Sequence, residues 1–278
     1  MIQLGKTSTL EVVKQVPFGY YLNALELGQV LLPNKLAPKS CQIGDQVEVF
    51  LHLDSEDQIL ATTRMPKAQV GQFASLKVVS TSRFGAFLDW GLDKDLLLPF
   101  AEQEKPLEVG NYVLVYIHIN HADDRIVASA KLNKFVDKAP AFYNEGEQVD
   151  LLIAGRTDLG YKAIINGAHW GVLYKDEVFQ ILKPGYKTKG YIKRMRSDDK
   201  IDLQLTRGTK DELDSQSLSI MIKLQQAGGF LPLTDKTDAE VIYQTLAMSK
   251  KAFKKCIGGL YKQQKIDIQT TGIRLIED

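Results

Sequence analysis

The chain has 278 residues, of which 44% are apolar and 25% charged, an ordinary balance for a globular protein that supports a well-buried core and makes disorder no default expectation. No apolar run reaches the roughly 18 residues needed to span a bilayer, and Met1-Ile2-Gln3-Leu4-Gly5 lacks the charged-then-apolar order of a secretory leader. A cytoplasmic protein with no membrane partner is therefore expected. Cys41 and Cys256 are far apart in apolar-patterned segments, so neither a disulfide framework nor a zinc site is expected, and both read as buried thiols. Net charge is only +1, but residues 1–63 carry 4 basic and 7 acidic groups whereas residues 187–210 carry 8 basic and 3 acidic. Positive charge is concentrated late in the chain, where a polyanion would be met.

Three segments repeat. The first contains Phe18-Gly19-Tyr20-Tyr21-Leu22, Val30-Leu31-Leu32-Pro33 and Ile43-Gly44-Asp45. The second contains Phe84-Gly85-Ala86-Phe87-Leu88, Leu96-Leu97-Leu98-Pro99 and Val109-Gly110-Asn111. The third contains Leu159-Gly160-Tyr161-Lys162-Ala163, Gly171-Val172-Leu173-Tyr174 and Pro184-Gly185-Tyr186. From the first Gly of each, the second landmark (Pro33, Pro99, Tyr174) follows after 14 residues and the later Gly after 25. Each repeat closes with an acidic turn, at Asp54–Asp57, Asp123-Asp124 and Ser197–Asp199, leading into a short apolar strand. Five short strands in so small a unit predict a closed barrel of the OB type. The expected units are residues 1–64, 65–138 and 139–209. The Gly beside the aromatics marks a sharp bend or a close backbone approach.

After Arg207 the period changes from 2 to 3.6. Leu218, Met221, Ile222 and Leu224 suit one helix ended by Gly228-Gly229, with Phe230–Leu233 as an extended link. Asp235 or Thr237 is expected to cap a second helix through Val241, Ile242 and Leu246, and Ser249 a third. Ile266–Gln269 and Ile273–Ile276 flank Thr270-Thr271-Gly272 as a hairpin. Helix, helix, helix and hairpin over 210–278 predict a winged helix. The fold class is thus mainly β with a C-terminal α+β domain.

Residues 70–131, with Phe-Gly-Ala-Phe-Leu, Val-Gly-Asn-Tyr-Val-Leu-Val and the acidic-turn strand, resemble the RNA-binding domain named after ribosomal protein S1. That resemblance implies base stacking at Phe84 and Phe87 and, by alignment, at Phe18 and Tyr21. It also implies a base-contacting His after the third strand, a place taken here by Pro33, Pro99 or Tyr174, so one such group is missing. The order of three S1-like barrels and a winged helix resembles, over essentially the whole chain, the bacterial conserved virulence factor B family. Lys200–Leu205, Ser249–Lys255 and Gly259–Lys262 carry that likeness. It implies an RNA-binding regulator of gene expression.

The candidate contacts are of three kinds. Phe84 and Phe87, with Arg83 beside them, are read as neighbours on one strand face, either in the core or stacking on bases. The basic run Lys187, Lys189, Lys193, Arg194, Arg196, Lys200 and Arg207 is read as tracking a phosphate backbone while Tyr186 or Tyr191 stacks, against the alternative of a solvated strand surface. At 100° per residue, Lys250, Lys251, Lys254, Lys255, Lys262 and Lys265 fall opposite Phe253, Cys256, Ile257 and Leu260, a face for phosphates or for water. Gly258-Gly259 weakens this helix, which a close approach of a partner or a neighbouring helix would explain. The acidic first repeat reads as structural or protein-binding.

Catalytic readings find little support. His52, His118, His121 and His169 lack metal-ligand spacing, no phosphate-binding Gly-Lys-Ser/Thr loop or nucleophile elbow is present, and the carboxylates sit in turns. A binding protein for single-stranded or structured RNA, with no cofactor, metal or catalytic residues, is the expectation. One rival is a DNA-binding transcription regulator acting through the winged helix, although the third helix offers lysines rather than base-edge readers. Another is a scaffold attached to the translation or RNA-decay machinery.

Overall fold

In the computed structural model, residues 2–54, 56–175, 178, 181–206 and 210–276 are described. They form two compact units, residues 1–136 and 137–278, each taken by itself below.

The first unit holds two five-stranded closed barrels. One consists of β1 (Thr7–Val16), β2 (Gly19–Asn23), β3 (Gln29–Pro33), β4 (Gln46–Leu53) and β5 (Ile59–Thr62). The other consists of β6 (Phe73–Ser82), β7 (Gly85–Asp89), β8 (Leu96–Pro99), β9 (Tyr112–Ile119) and β10 (Ile126–Ser129). In each, the third and fifth strands pair in parallel and close the cylinder, so no long free edge remains. Alternate residues point inward: Leu10, Val12, Leu22, Leu32 and Leu51 fill the first barrel, and Leu76, Val78, Leu88, Leu98 and Ile117 the second. All ten are at most 2% exposed, each stabilising the fold by about 1.5–3 kcal/mol relative to exposure.

The second unit begins with a third closed barrel, β11 (Gln148–Arg156), β12 (Gly160–Ile165), β13 (His169–Tyr174), β14 (Lys187–Met195) and β15 (Ile201–Gln204). The winged helix follows as α1 (Lys210–Gln226), β16 (Phe230–Leu231), α2 (Ala239–Leu246), α3 (Lys250–Lys262), β17 (Ile266–Gln269) and β18 (Gly272–Leu275).

The repeat landmarks have one physical cause in all three barrels. A Cβ at Gly19, Gly85 or Gly160 would lie 2.4, 2.2 or 2.0 Å from the carbonyl oxygen of Leu32, Leu98 or Leu173, so the second strand can cross the third only at glycine. Gly44, Gly110 and Gly185 adopt φ of +95°, +92° and +85°, and their amides donate to the carbonyls of Val12, Val78 and Ile153. At those carbonyls the first strand of each barrel bulges, between Val12 and Lys14, Val78 and Ser80, and Ile153 and Gly155, which lets the strand bend around the cylinder.

The winged helix departs from the sequence reading in detail. Leu224 of α1 is fully buried and Met221 packs against the core as expected, whereas Leu218 and Ile222 face outward and Ile220 takes the remaining inward place. Asp238, rather than Asp235 or Thr237, caps α2, its side chain accepting from the Glu240 amide at 3.4 Å. Thr237 instead accepts from the Thr234 amide at 2.8 Å, stabilising the preceding turn. Ser249 caps α3 as expected, accepting from the Ala252 amide at 2.9 Å. Phe230-Leu231 is more than a link: it pairs with Arg274 and Ile273 as the third strand of the wing sheet. The hairpin turn is Thr270-Thr271, with Gly272 already in β18.

Candidate nucleic-acid interface

Phe84 and Phe87 are three residues apart, and a regular strand would send them to opposite faces. The structure resolves this: Phe84 occupies the turn before β7, Phe87 lies within it, and both rings line one cavity of about 840 Å3. The expected single-strand face is therefore corrected: the two residues reach the same cavity from the turn and from the strand. Phe84 is 59% exposed and Phe87 half-buried. The Arg83 guanidinium carbon stands 4.8 Å from the Phe84 ring centroid, a cation–π arrangement. The cavity is also bounded by Leu97, Pro99, Trp90, Lys94, Asp95 and Arg125 of the second barrel, and by His52, Leu53 and Asp57 of the first.

Those two barrels are joined firmly. Phe50, fully buried in β4, meets Trp90 edge-on with ring centroids 5.6 Å apart, and the Trp90 indole donates to the Lys94 carbonyl at 2.7 Å. Lys94 donates to the Asp54 carbonyl at 2.6 Å, Arg125 pairs with Asp57, and Asp93 pairs with Lys35 and Arg64. Each exposed ion pair contributes little to stability, about 0–1 kcal/mol; the aromatic contact carries the join. Burial pushes the His52 imidazole below the usual histidine value, so it is favoured neutral in the cleft. Partial desolvation, with the Asp89 charge nearby, pushes the Asp95 carboxyl up.

In the third barrel Lys187, Lys189, Lys193 and Arg194 lie on β14, and Arg196 and Lys200 lie in the turn between β14 and β15. Gly190 and Ile192 are buried, so Lys187, Lys189, Tyr191 and Lys193 alternate outward, and a bulge between Ile192 and Arg194 keeps Arg194 on the same side. Several of these charges already have partners: Lys189 with Asp150 at 2.5 Å, and Arg196 and Lys200 with Asp198 at 3.5 and 2.8 Å. Tyr191 accepts from Gln148 at 3.3 Å, and Tyr186, 48% exposed, precedes the strand. Arg207 lies outside the described residues.

Sequence reasoning missed two members of this barrel's surface, Lys162 and Trp170, and left the partners of Tyr174 unread. Lys162 sits 3.7 Å from the Trp170 ring centroid, and Tyr174 lies within 6.0 Å of the Lys193 ammonium. Tyr174 also donates to Asp202 at 3.0 Å and approaches the Arg196 guanidinium at 3.5 Å. Tyr174 occupies the landmark position that Pro33 and Pro99 hold in the first two barrels. The signal for Trp170 was the Asn166-Gly167 pair, at φ +50° and +70°, which fixes the hairpin register and sets Lys162 and Trp170 diagonally across it.

On α3, Phe253, Cys256, Ile257 and Leu260 are buried at 3% exposure or less, and Lys251, Lys254, Lys255 and Lys262 are exposed opposite them. Lys250 is half-buried and donates to the Lys236 carbonyl at 3.3 Å, and Lys254 lies 3.9 Å from Asp235. Lys265 follows the helix. A Cβ on Gly258 or Gly259 would meet nothing within 4 Å, so no neighbouring helix among the described residues explains those glycines.

The known-protein comparisons agree with this geometry. The S1 domain family matches residues 4–64 and 70–131, and the CvfB-like winged helix domain matches residues 219–275. The protein YitL of Bacillus subtilis is 26% identical over 277 residues, covering 94% of this chain and 90% of its own. Conserved virulence factor B of Staphylococcus aureus is 27% identical over 250 residues, covering 84% and 80%. The chain is thus similar over most of its length to conserved virulence factor B and to YitL, and its winged helix matches the CvfB-like domain. A solved multidomain protein with nucleic acid binding domains from Streptococcus pneumoniae covers 98% of each chain at 22% identity and a TM-score of 0.43. The matched S1 and winged-helix domains are of nucleic-acid-binding kinds, which supports binding of nucleic acid. Among the described residues, no helix is long and apolar enough to cross a membrane.

Proposed function

We propose that this protein binds single-stranded or structured RNA and acts as a post-transcriptional regulator of gene expression, holding its ligand by stacking and phosphate contacts without covalent chemistry. One observation carries the reading. The residue before the crossing glycine is apolar and left in water in every barrel: Phe18 at 57%, Phe84 at 59% and Leu159 at 60% exposure. Apolar side chains held in water at the same place in each barrel suit a partner with a flat apolar face, and a nucleobase offers one. Arg83 with Phe84 and Phe87 forms the stacking end. Tyr186, Lys187, Lys189, Tyr191, Lys193, Arg194, Arg196 and Lys200 supply a backbone-tracking strand, and Lys250, Lys251, Lys254, Lys255 and Lys262 a second cationic face. Four working parts, 1–64, 65–138, 139–209 and 210–278, share the task. RNA fits better than duplex DNA because α3 presents lysines to phosphate and no paired base-edge readers.

The test is a comparison of the full chain with residues 1–136, titrated with one single-stranded RNA. The shorter chain should bind far more weakly and with a shallower salt slope, having lost β14 and α3. Equal affinity and slope would show that the basic strand and helix are solvated surfaces.

A further inference from the structure

The cleft that holds Phe84 has a second wall, and that wall belongs to a different barrel. His52 and Leu53 at the end of β4, with Asp57 in the acidic turn, face Phe84, Phe87 and Asp95 across the same cavity. We propose that the first two barrels form one composite site for an unpaired nucleotide whose base carries an exocyclic amino group. The second barrel supplies the stacking rings and the first the opposite wall. This inference rests on the RNA-binding reading above and adds that the first barrel, though acidic, is part of the site.

Three features support it. The volume of about 840 Å3 falls within the ~300–1,000 Å3 of pockets that enclose a small ligand. A base inside a duplex presents neither a free face nor a free Watson–Crick edge, so only an unpaired one can enter. The wall is fixed, because Phe50 of β4 is packed against Trp90, while the cations that bound the cleft are engaged, Lys94 by the Asp54 carbonyl and Arg125 by Asp57. The Asp95 carboxylate has no ion pair among the described residues, and an ionised carboxylate only accepts hydrogen bonds. It therefore suits an amino group such as cytosine N4, whereas uracil would turn a carbonyl oxygen toward it.

Trp90 and Trp170 are the two tryptophans of the chain, so in Trp170→Phe the emission of Trp90, buried at 4% exposure beside the cleft, becomes the reporter. The full-length Trp170→Phe protein is titrated with ten-nucleotide oligocytidylate, oligouridylate and a blunt RNA duplex of equal length. Oligocytidylate should change Trp90 emission and bind several-fold tighter than oligouridylate, and the duplex should leave the emission unchanged. With labelled RNA, Leu53→Tyr, which narrows the cleft from the first barrel, should weaken oligocytidylate binding about tenfold. Asp95→Asn, at an exposed position, should bring the two oligonucleotides to equal affinity. If Phe84→Ala weakens binding while folded Leu53→Tyr and Asp95→Asn bind as the parent does, the composite site is refuted and the RNA reading stands. If Phe84→Ala also binds as the parent does, both fail at this barrel.

Discussion

Truncation of Phe84 separates a binding ring from a core ring. Phe84 buries about two-fifths of its surface, being 59% exposed, whereas Phe50 is fully buried between the first two barrels. Removing a fully buried Phe costs about 3–5 kcal/mol. Scaled by burial, Phe84→Ala should cost about 1–2 kcal/mol of stability, well below Phe50→Ala. In binding the order reverses. Loss of one stacked base costs about 1–3 kcal/mol, or about 5- to 150-fold in affinity, and Phe84→Ala should show that loss while remaining folded. The assay is urea unfolding of each variant, followed by fluorescence anisotropy with a single-stranded 12-nucleotide RNA under native conditions. Stability loss for Phe84→Ala equal to that of Phe50→Ala, with unchanged affinity of the folded protein, would refute the reasoning and make Phe84 a structural ring.

Four further outcomes are expected. Combining Lys251→Glu, Lys254→Glu and Lys255→Glu should leave circular dichroism unchanged, since all three are exposed opposite the α3 core, and should lower the log–log salt slope by roughly 0.7 per lost phosphate contact on single strands; an unchanged slope would place α3 away from the phosphates. Gly160→Ala should destabilise the third barrel strongly, because the added Cβ would lie 2.0 Å from the Leu173 carbonyl oxygen at φ +151°; a melting curve like the parent's would contradict that geometry. Ser249→Ala should cost about 1 kcal/mol by removing the α3 cap, measured by denaturant unfolding. Since burial lowers the His52 value in the folded state, the unfolded chain binds more protons there, so stability is held above the unfolded value near ~6.5 and falls as pH drops through it. In His52→Gln the fall from pH 7 to 5 should be smaller, and an identical fall would assign it to other groups.

The three barrels were legible because each landmark answers to a steric demand that recurs: glycine where strands cross, glycine at the bulge, an acidic residue at φ +55° to +59° (Asp57, Asp124 and Asp199) in the last turn. The winged helix was legible from its periodicity, as were Met221 and Leu224 on the inward side of α1, but not the choice of Ile220 over Leu218 and Ile222, because all three are apolar and only packing decides which of them faces the core. The cap of α2 was misplaced because Asp235, Thr237 and Asp238 are all capable, and the choice depends on where the chain turns. At the candidate site, spacing along the chain pointed to Phe84 and Phe87 but gave no hint of the wall from the first barrel, which exists only because Phe50 meets Trp90 across 40 residues of sequence. Lys162 over Trp170 escaped for the same reason: cross-strand neighbours appear only once the register is known.

The most direct test of the central claim is binding of the full chain to single-stranded RNA, single-stranded DNA and duplex DNA of equal length over a salt series. The account predicts preference for RNA, with affinity falling steeply as salt rises. Equal or tighter binding to duplex DNA, or an affinity for RNA indifferent to salt, would contradict it.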